Sequence, residues 1–232
     1  MSALTPEDFG AVLLSLRVAL AATAVGLPIA IAVALAKARG RFPARVVLDA
    51  LVTLPLVLPP VATGYVLLLL FGRRGWLGQP LEKLGIVFAF DWTGAALAAG
   101  IMAFPLMVRP IRLAIEAVDV EVDEVARTLG AGRLVRFFRV TLPLAGPGVA
   151  AGAILGFAKA LGEFGATITF VAAIPGETLT LPAAIYNATQ SPGSEARAAA
   201  LCVVAAVIAV AAVFLSDAVG RWAGRAARGE RH

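Results

Sequence analysis

Five long apolar stretches alternate with short polar ones along this chain, near residues 11–36, 46–71, 94–115, 142–173 and 196–219. Each reaches the ~20 helical residues that cross ~30 Å of hydrocarbon. A bilayer interior cannot hydrate peptide groups, so each stretch is expected to be helical or shielded by neighbours. The residue-by-residue alternation that marks a membrane β-barrel is absent. The pattern predicts an all-α integral membrane protein. It forms one transmembrane domain over residues 1–232, a bundle of five transmembrane helices, or six.

Several of these stretches are poorly suited to be inert anchors. The second contains LPLVLPP, with Pro55, Pro59 and Pro60, and the third contains Pro105 and Pro110. The fourth opens on LPLAGPG and carries GEFG (Gly162, Glu163, Phe164, Gly165) further on. Proline removes a helical donor, and glycine permits kinks or close approach. Their clustering favours a bundle with a pathway. Between the fourth and fifth stretches, LTLPAAIYNATQ (179–190) places Leu181, Ile185 and Ala188 on one helical face. A shallow or re-entrant element and a plain loop fit it equally well.

Composition agrees with this class: 60% of the 232 residues are hydrophobic and 15% charged. Soluble domains run near 45–50% and about 25%. The net charge of +5 would raise nucleic acid in a soluble protein. Here the basic residues fall in alternate connections, so no nucleic-acid partner is expected. Lys37, Arg39, Arg41 and Arg45 follow the first stretch. Arg109, Arg112, Arg127, Arg133, Arg136 and Arg139 surround the end of the third and the segment after it. Arg221, Arg225, Arg228 and Arg231 follow the fifth. The other side holds Arg73, Arg74, Lys83 and Arg197, and the N-terminal tail offers Glu7 and Asp8. That asymmetry places the N-terminus outside and the C-terminus in the cytoplasm.

The chain carries no GxxxxGK[ST] loop, so it is not expected to hydrolyse nucleotide itself. One cysteine, Cys202, and one histidine, His232, leave no metal site of the usual spacings and no disulfide within the chain. Catalysis by this chain is not expected, nor is a cofactor of its own. Lys159 and Glu163 stand four apart inside the fourth stretch, on one helical face. Ions within a membrane are expensive; the pair reads equally as a gate and as a mutually neutralised structural pair. With the proline and glycine breaks and nearby hydroxyls, the candidate pathway or gate residues are Pro59, Pro60, Thr63, Lys159, Gly162, Glu163, Phe164, Gly165 and Thr167. Arg17, two turns inside the first stretch, reads better as snorkelling than as a substrate contact.

The segment 119–139 is charged and broken by glycine between apolar spans. Val118, Val122, Val125, Ala126 and Leu129 share one helical face. Asp119, Glu121, Asp123 and Glu124 sit early, where the helix dipole favours anions. Gly130 suits a left-handed cap. A second short helix is expected after Gly132, with Leu134, Phe137 and Phe138 apolar among Arg133, Arg136 and Arg139. Two short cytoplasmic helices around a glycine turn are thus predicted, with an exposed apolar face that needs a protein partner.

Glu124-Val125-Ala126, then Gly130, then Val140-Thr141-Leu142-Pro143 resembles the EAA signature of bacterial ABC importer permeases, E-A-A-x3-G-x9-I-x-L-P, with Val125 for Ala and Val140 for Ile. In that family the segment docks on a separate ATPase. The resemblance implies a type I importer fold, and a coupling role for Asp123, Glu124, Val125, Ala126, Arg127, Leu129, Gly130, Ala131, Arg133 and Phe137. It also implies a permease homodimer in membrane lipid, two ATPase subunits that bind ATP and Mg, and an extracytoplasmic binding protein. LPLVLPPVATGY, FGRRGWLG and GEFGATITFVAAIPGETLTLPAAIYNATQ look like molybdate permeases. Sulfate permeases share the GEFG-like and EAA parts. The resemblance implies import of molybdate, and of tungstate, with sulfate or another oxyanion as the nearest alternative and a secondary transporter as a remoter one.

Overall fold

The computed structural model describes residues 4–40 and 45–227, with backbone alone at 45, 213 and 215–227. Arg41, Arg228, Arg231 and His232 lie outside the described residues, and the side chains of Arg45, Arg221 and Arg225 are not described. Among the described residues every regular element is helical.

Helix α1 (Pro6–Arg39) starts on a capping box: Thr5 Oγ1 accepts from the Asp8 N–H, and the Asp8 carboxylate accepts from the Thr5 N–H. It crosses the full bundle. Helix α2 (Arg45–Val57) stops at Leu58, and α3 (Pro60–Phe71) leaves at 115° to it. Pro59 and Pro60 explain the break, since neither supplies an N–H to continue the ladder. After a short α4 (Gly78–Glu82), Asp91 caps α5 (Trp92–Glu116) by accepting from the Thr93 N–H at 2.8 Å.

Two short helices follow, α6 (Val120–Thr128) and α7 (Arg133–Arg136), separated by Gly130 at φ +83°. Helix α7 runs on through a π-helical turn, Phe137–Thr141, into α8 (Leu142–Leu144). Helix α9 (Gly146–Leu161) leaves this run at 71°. The fourth apolar stretch is therefore not one helix over 142–173. It bends at Ala145 and breaks again at 162–164, before α10 (Gly165–Val171). Helix α11 (Leu181–Gln190) and the long α12 (Glu195–Ala227) complete the fold.

Among the described residues three helices are long and apolar enough to cross a membrane: Pro6–Arg39, Trp92–Glu116 and the Glu195–Ala212 part of α12. The two bent pairs make five if each is one span.

Helix α5 is the centre of the bundle. Met107 and Ile111 are fully buried on it. Helix α9 reaches it through glycines one turn apart: a Cβ on Gly148 would sit 2.2 Å from Ala114 Cβ, and one on Gly156 2.5 Å from Met107 Cγ. Between them, Gly152 lies against Ile111. This small-residue stripe brings two backbones close where lipid offers no hydrophobic drive for helices to associate.

Segment 179–190 is not a plain loop. Leu181, Ala183, Ala184 and Ala188 of α11 are buried together with Ala11 of α1 and Leu201 of α12. The Leu181 N–H donates to Ser15 Oγ at 2.7 Å. At the same end Arg197 grips the buried Asp8 carboxylate, with Nε at 3.0 Å from both oxygens and Nη2 at 2.6 Å from Oδ1. A bidentate fork of this kind fixes orientation as well as distance.

Candidate functional site: a coupling helix pair and two broken spans

The opposite end of the bundle is held by charges. Lys37 pairs with Asp49, which also faces Arg112 at 3.8 Å, and Arg112 bonds Glu116 at 2.7 Å. The network ties the end of α1 to α2 and α5. Arg39 continues it at 3.2 Å to Asp123 Oδ1 on α6, and Arg136 Nη1 of α7 donates to Asp123 Oδ2 at 2.8 Å.

Asp123 therefore points into the structure. Its side chain and that of Arg136 are each only 16% exposed. One carboxylate joins α1, α6 and α7. Glu124, the next residue, is exposed, as are Arg127 and Arg133. Periodicity alone had grouped Asp123 with Glu124; the difference lies in Arg39 and Arg136, neither of which is near in sequence.

On the outer face of this pair, Val125, Leu129, Leu134, Val135 and Phe138 are all exposed, Leu129 by 82%. Phe137 is half-buried and meets Phe138 edge-on at 5.0 Å. Ala126 and Ala131 are half-buried, and the Ala131 N–H closes the helix end by donating to the Ala126 carbonyl at 3.0 Å. Asp119 caps α6 through the Glu121 N–H at 2.9 Å. The pair is thus a preformed, positioned, apolar surface with acidic and basic residues around it.

The second candidate region lies where both broken spans meet. Pro60 opens α3 and Gly165 opens α10, and a Cβ on Gly165 would come within 2.7 Å of Pro60 Cβ. One turn on, a Cβ on Gly64 would stand 2.5 Å from the Ala166 carbonyl oxygen. Of the candidates, Pro60 and Gly165 are brought together by this α3–α10 contact, with Pro59 and Thr63 at the head of α3 and Thr167 on α10. Gly162 lies exposed in the break itself. Phe164 turns away to stack on Tyr186 of α11 at 5.1 Å.

Glu163 is buried, and its two oxygens have separate partners. Oε2 accepts from Lys159 Nζ at 2.6 Å, and Oε1 accepts from the Ala166 N–H at 3.0 Å. The carboxylate thereby closes the first turn of α10, so that helix end is already filled by a negative charge. Thr167 Oγ1 is also spoken for, donating to the Phe164 carbonyl at 2.8 Å. Thr63 differs: it is buried, and its Oγ1 has no hydrogen-bond partner among the described residues. Arg17 does not simply reach for water. Its guanidinium lies over the Trp92 ring, 3.7 Å from the centroid.

Sequence reasoning had no means of finding the Asp8–Arg197 clasp or Ser15, because their partners are 189 and 166 residues away. The glycine stripe at 148, 152 and 156 was also missed, although its spacing of four is the signal that could have found it.

A bundle of this shape, with two bent spans and a short helix pair at one end, is the fold of ABC importer membrane subunits. The bacterial ABC transporter that imports alginate matches it with a TM-score of 0.76, at 18% identity, over 94% of this chain and 80% of that one. The family model for "Binding-protein-dependent transport system inner membrane component" matches residues 26–229. The chain belongs to that family and is a multi-pass inner-membrane protein. It is 51% identical over 219 residues to the molybdenum transport system permease protein ModB of Escherichia coli (strain K12), covering 94% of this chain and 96% of that protein. It is 35% identical over 214 residues to the chloroplastic sulfate permease 2 of Chlamydomonas reinhardtii, covering 92% of this chain and 58% of that one.

Proposed function

We propose that this chain is the transmembrane permease subunit of an ATP-driven importer that carries molybdate, and also tungstate, across the cytoplasmic membrane. It works as a homodimer with two ATPase subunits that bind ATP and Mg, and with an extracytoplasmic molybdate-binding protein. The end bearing α6 and α7 lies in the cytoplasm; the Asp8–Arg197 end lies outside, with the N-terminus. The observation that carries the reading is the α6–α7 pair. It presents an exposed apolar face while an inward carboxylate fixes it to α1, a geometry suited to transmitting a partner's movement to the bundle.

The proposed cycle is alternating access. ATP closes the partner subunits, and their motion carries the docked 119–139 region and swings the dimer from inward- to outward-facing. Hydrolysis resets it. Coupling is then a two-state shift biased by nucleotide and binding protein. Along the path, the Val61 and Ala62 N–H groups at the head of α3, which no side chain caps, supply weak donors for an oxyanion. Weak donors suit a path, since a tight cage would hold the ion. Lys159 and Glu163 neutralise each other near this point, which leaves selectivity to the binding protein.

ATP-dependent uptake in proteoliposomes, with the cognate ATPase and binding protein, tests the cargo. Molybdate and tungstate should compete with one another, and sulfate should not. Uptake of sulfate alone would replace the cargo assignment with the sulfate alternative. Uptake that persists without the ATPase would instead support a secondary transporter. Charge reversal at Glu124 together with Gly130→Val should abolish both transport and ATPase co-purification; intact complex formation would overturn the docking assignment.

A further inference from the structure

A groove of about 550 Å³ runs between α1, α2 and α5, lined almost wholly by apolar atoms. Phe88 and Trp92 line it at the start of α5 and Gly100 and Phe104 further along, together with Ile29 of α1 and Leu51 of α2. Trp92 to Phe104 is twelve residues of one helix, about 18 Å at 1.5 Å per residue. One leaflet of a ~30 Å hydrocarbon core is about 15 Å deep. The α5 wall of the groove is thus about one leaflet long, and its tryptophan end lies where α5 begins.

That end carries a cation. Arg17 is exposed and stacks by its face on Trp92. Among the described residues it makes no hydrogen bond, and no carboxylate lies within 4 Å of it. Stacking occupies the face of a guanidinium and leaves its five N–H donors at the edge free for a forked contact with phosphate. The nearby carboxylate of Asp91 is engaged by the Thr93 N–H and hydroxyl, at 2.8 and 2.5 Å. An apolar slot with a leaflet-long wall and a fixed cation at its headgroup end, whose donors are unused, matches one acyl chain and the anionic head of a lipid.

We propose that this groove binds an anionic phospholipid of the leaflet at the Asp8–Arg197 end, with an acyl chain along α5 and the phosphate on Arg17. The inference does not depend on the cargo or on the coupling assignment. It needs only that these helices span a bilayer.

Trp92 serves as the reporter. A variant with Trp76→Phe and Trp222→Phe leaves it as the sole indole. This protein is reconstituted in phosphatidylcholine vesicles containing a minor fraction of phosphatidylglycerol or phosphatidylcholine with brominated acyl chains, at equal mole fraction. Brominated phosphatidylglycerol should quench Trp92 at least twofold more strongly, and Arg17→Gln should remove the difference. Equal quenching by both lipids, unchanged by Arg17→Gln, would reduce the groove to unselective lipid-facing surface and overturn the proposal. No quenching by either lipid would show the groove covered by protein, such as a second copy, and would overturn it too. Should Arg17→Gln fail to fold, Ala96→Phe, which narrows the groove at its lining, must lower the phosphatidylglycerol preference instead; if it does not, the proposal fails.

Discussion

Replacing Asp123 by alanine should loosen the helix pair at the end of the bundle, whereas replacing its neighbour Glu124 should not. The Asp123 carboxylate accepts a charge-assisted bond from Arg136 at 2.8 Å, between side chains each 16% exposed. Such a bond contributes about 1.5–3 kcal/mol. The second contact, with Arg39 at 3.2 Å, involves a side chain 38% exposed and adds about 0.2–1 kcal/mol. Full burial would raise the loss to about 3–5 kcal/mol, but this site is partly wet. About 2–3 kcal/mol of local stability is therefore expected to disappear. It should be read locally, since α6 and α7 can open without the bundle. Amide hydrogen exchange in α6 should quicken about 30–150-fold in Asp123→Ala, at about tenfold per 1.4 kcal/mol. In Glu124→Ala, an exposed change, stability should stay within about 0.5 kcal/mol. A cycle with Arg136→Ala should show coupling of at least about 1 kcal/mol. If the two alanine variants exchange alike, or the cycle shows no coupling, Asp123 does not position the pair.

Three further outcomes follow from the packing. Gly64→Ala should push α3 off α10, because the new Cβ meets backbone at 2.5 Å; a cost of about 1–3 kcal/mol should lower the thermal midpoint in detergent and reduce uptake. Glu163→Gln keeps an acceptor for the Ala166 N–H but loses the Lys159 pair, so Glu163→Ala should melt lower than Glu163→Gln by about 1 kcal/mol. Equal melting points would remove the capping role. Ala172 holds φ 62° and ψ −164°, a region that is essentially glycine's. Ala172→Gly should therefore raise the thermal midpoint, and a fall would show that the conformation is not strained.

The sequence and the structure agree best where information is local. The 3.6-residue spacing of Val118, Val122, Val125 and Leu129 made α6 legible, and Gly130 takes the positive φ expected of it. The prolines of LPLVLPP mark a real break, because the missing N–H groups act on their own helix. Lys159 and Glu163 meet as an i, i+4 pair should. The second helix of the pair was less legible. Helix α7 has only four regular residues before a π-helical turn takes over, and nothing in its apolar spacing announces that. Long-range contacts were the least accessible. The inward turn of Asp123 depends on Arg39, and the burial of α11 depends on α1 and α12. Apolar periodicity along 179–190 could not separate a helix packed on neighbours from a loop.

Arg197 leaves the ribosome 189 residues after Asp8. At about 5–20 residues per second that is about 10–40 s of synthesis. Throughout that interval the first helix has its capping box, but its carboxylate lacks the guanidinium that later encloses it, and Ser15 lacks the Leu181 N–H for nearly as long. Helix α1 thus precedes the other described helices, yet its Asp8 end is sealed only once α11 and α12 have followed. A chain halted before α12 leaves at this end an uncompensated acidic group beside an uncovered patch of alanine and leucine. The arrival of α12 is consequently a chemical event at the far end of α1, and a copy without it differs from one with it by an open carboxylate and a bared apolar patch.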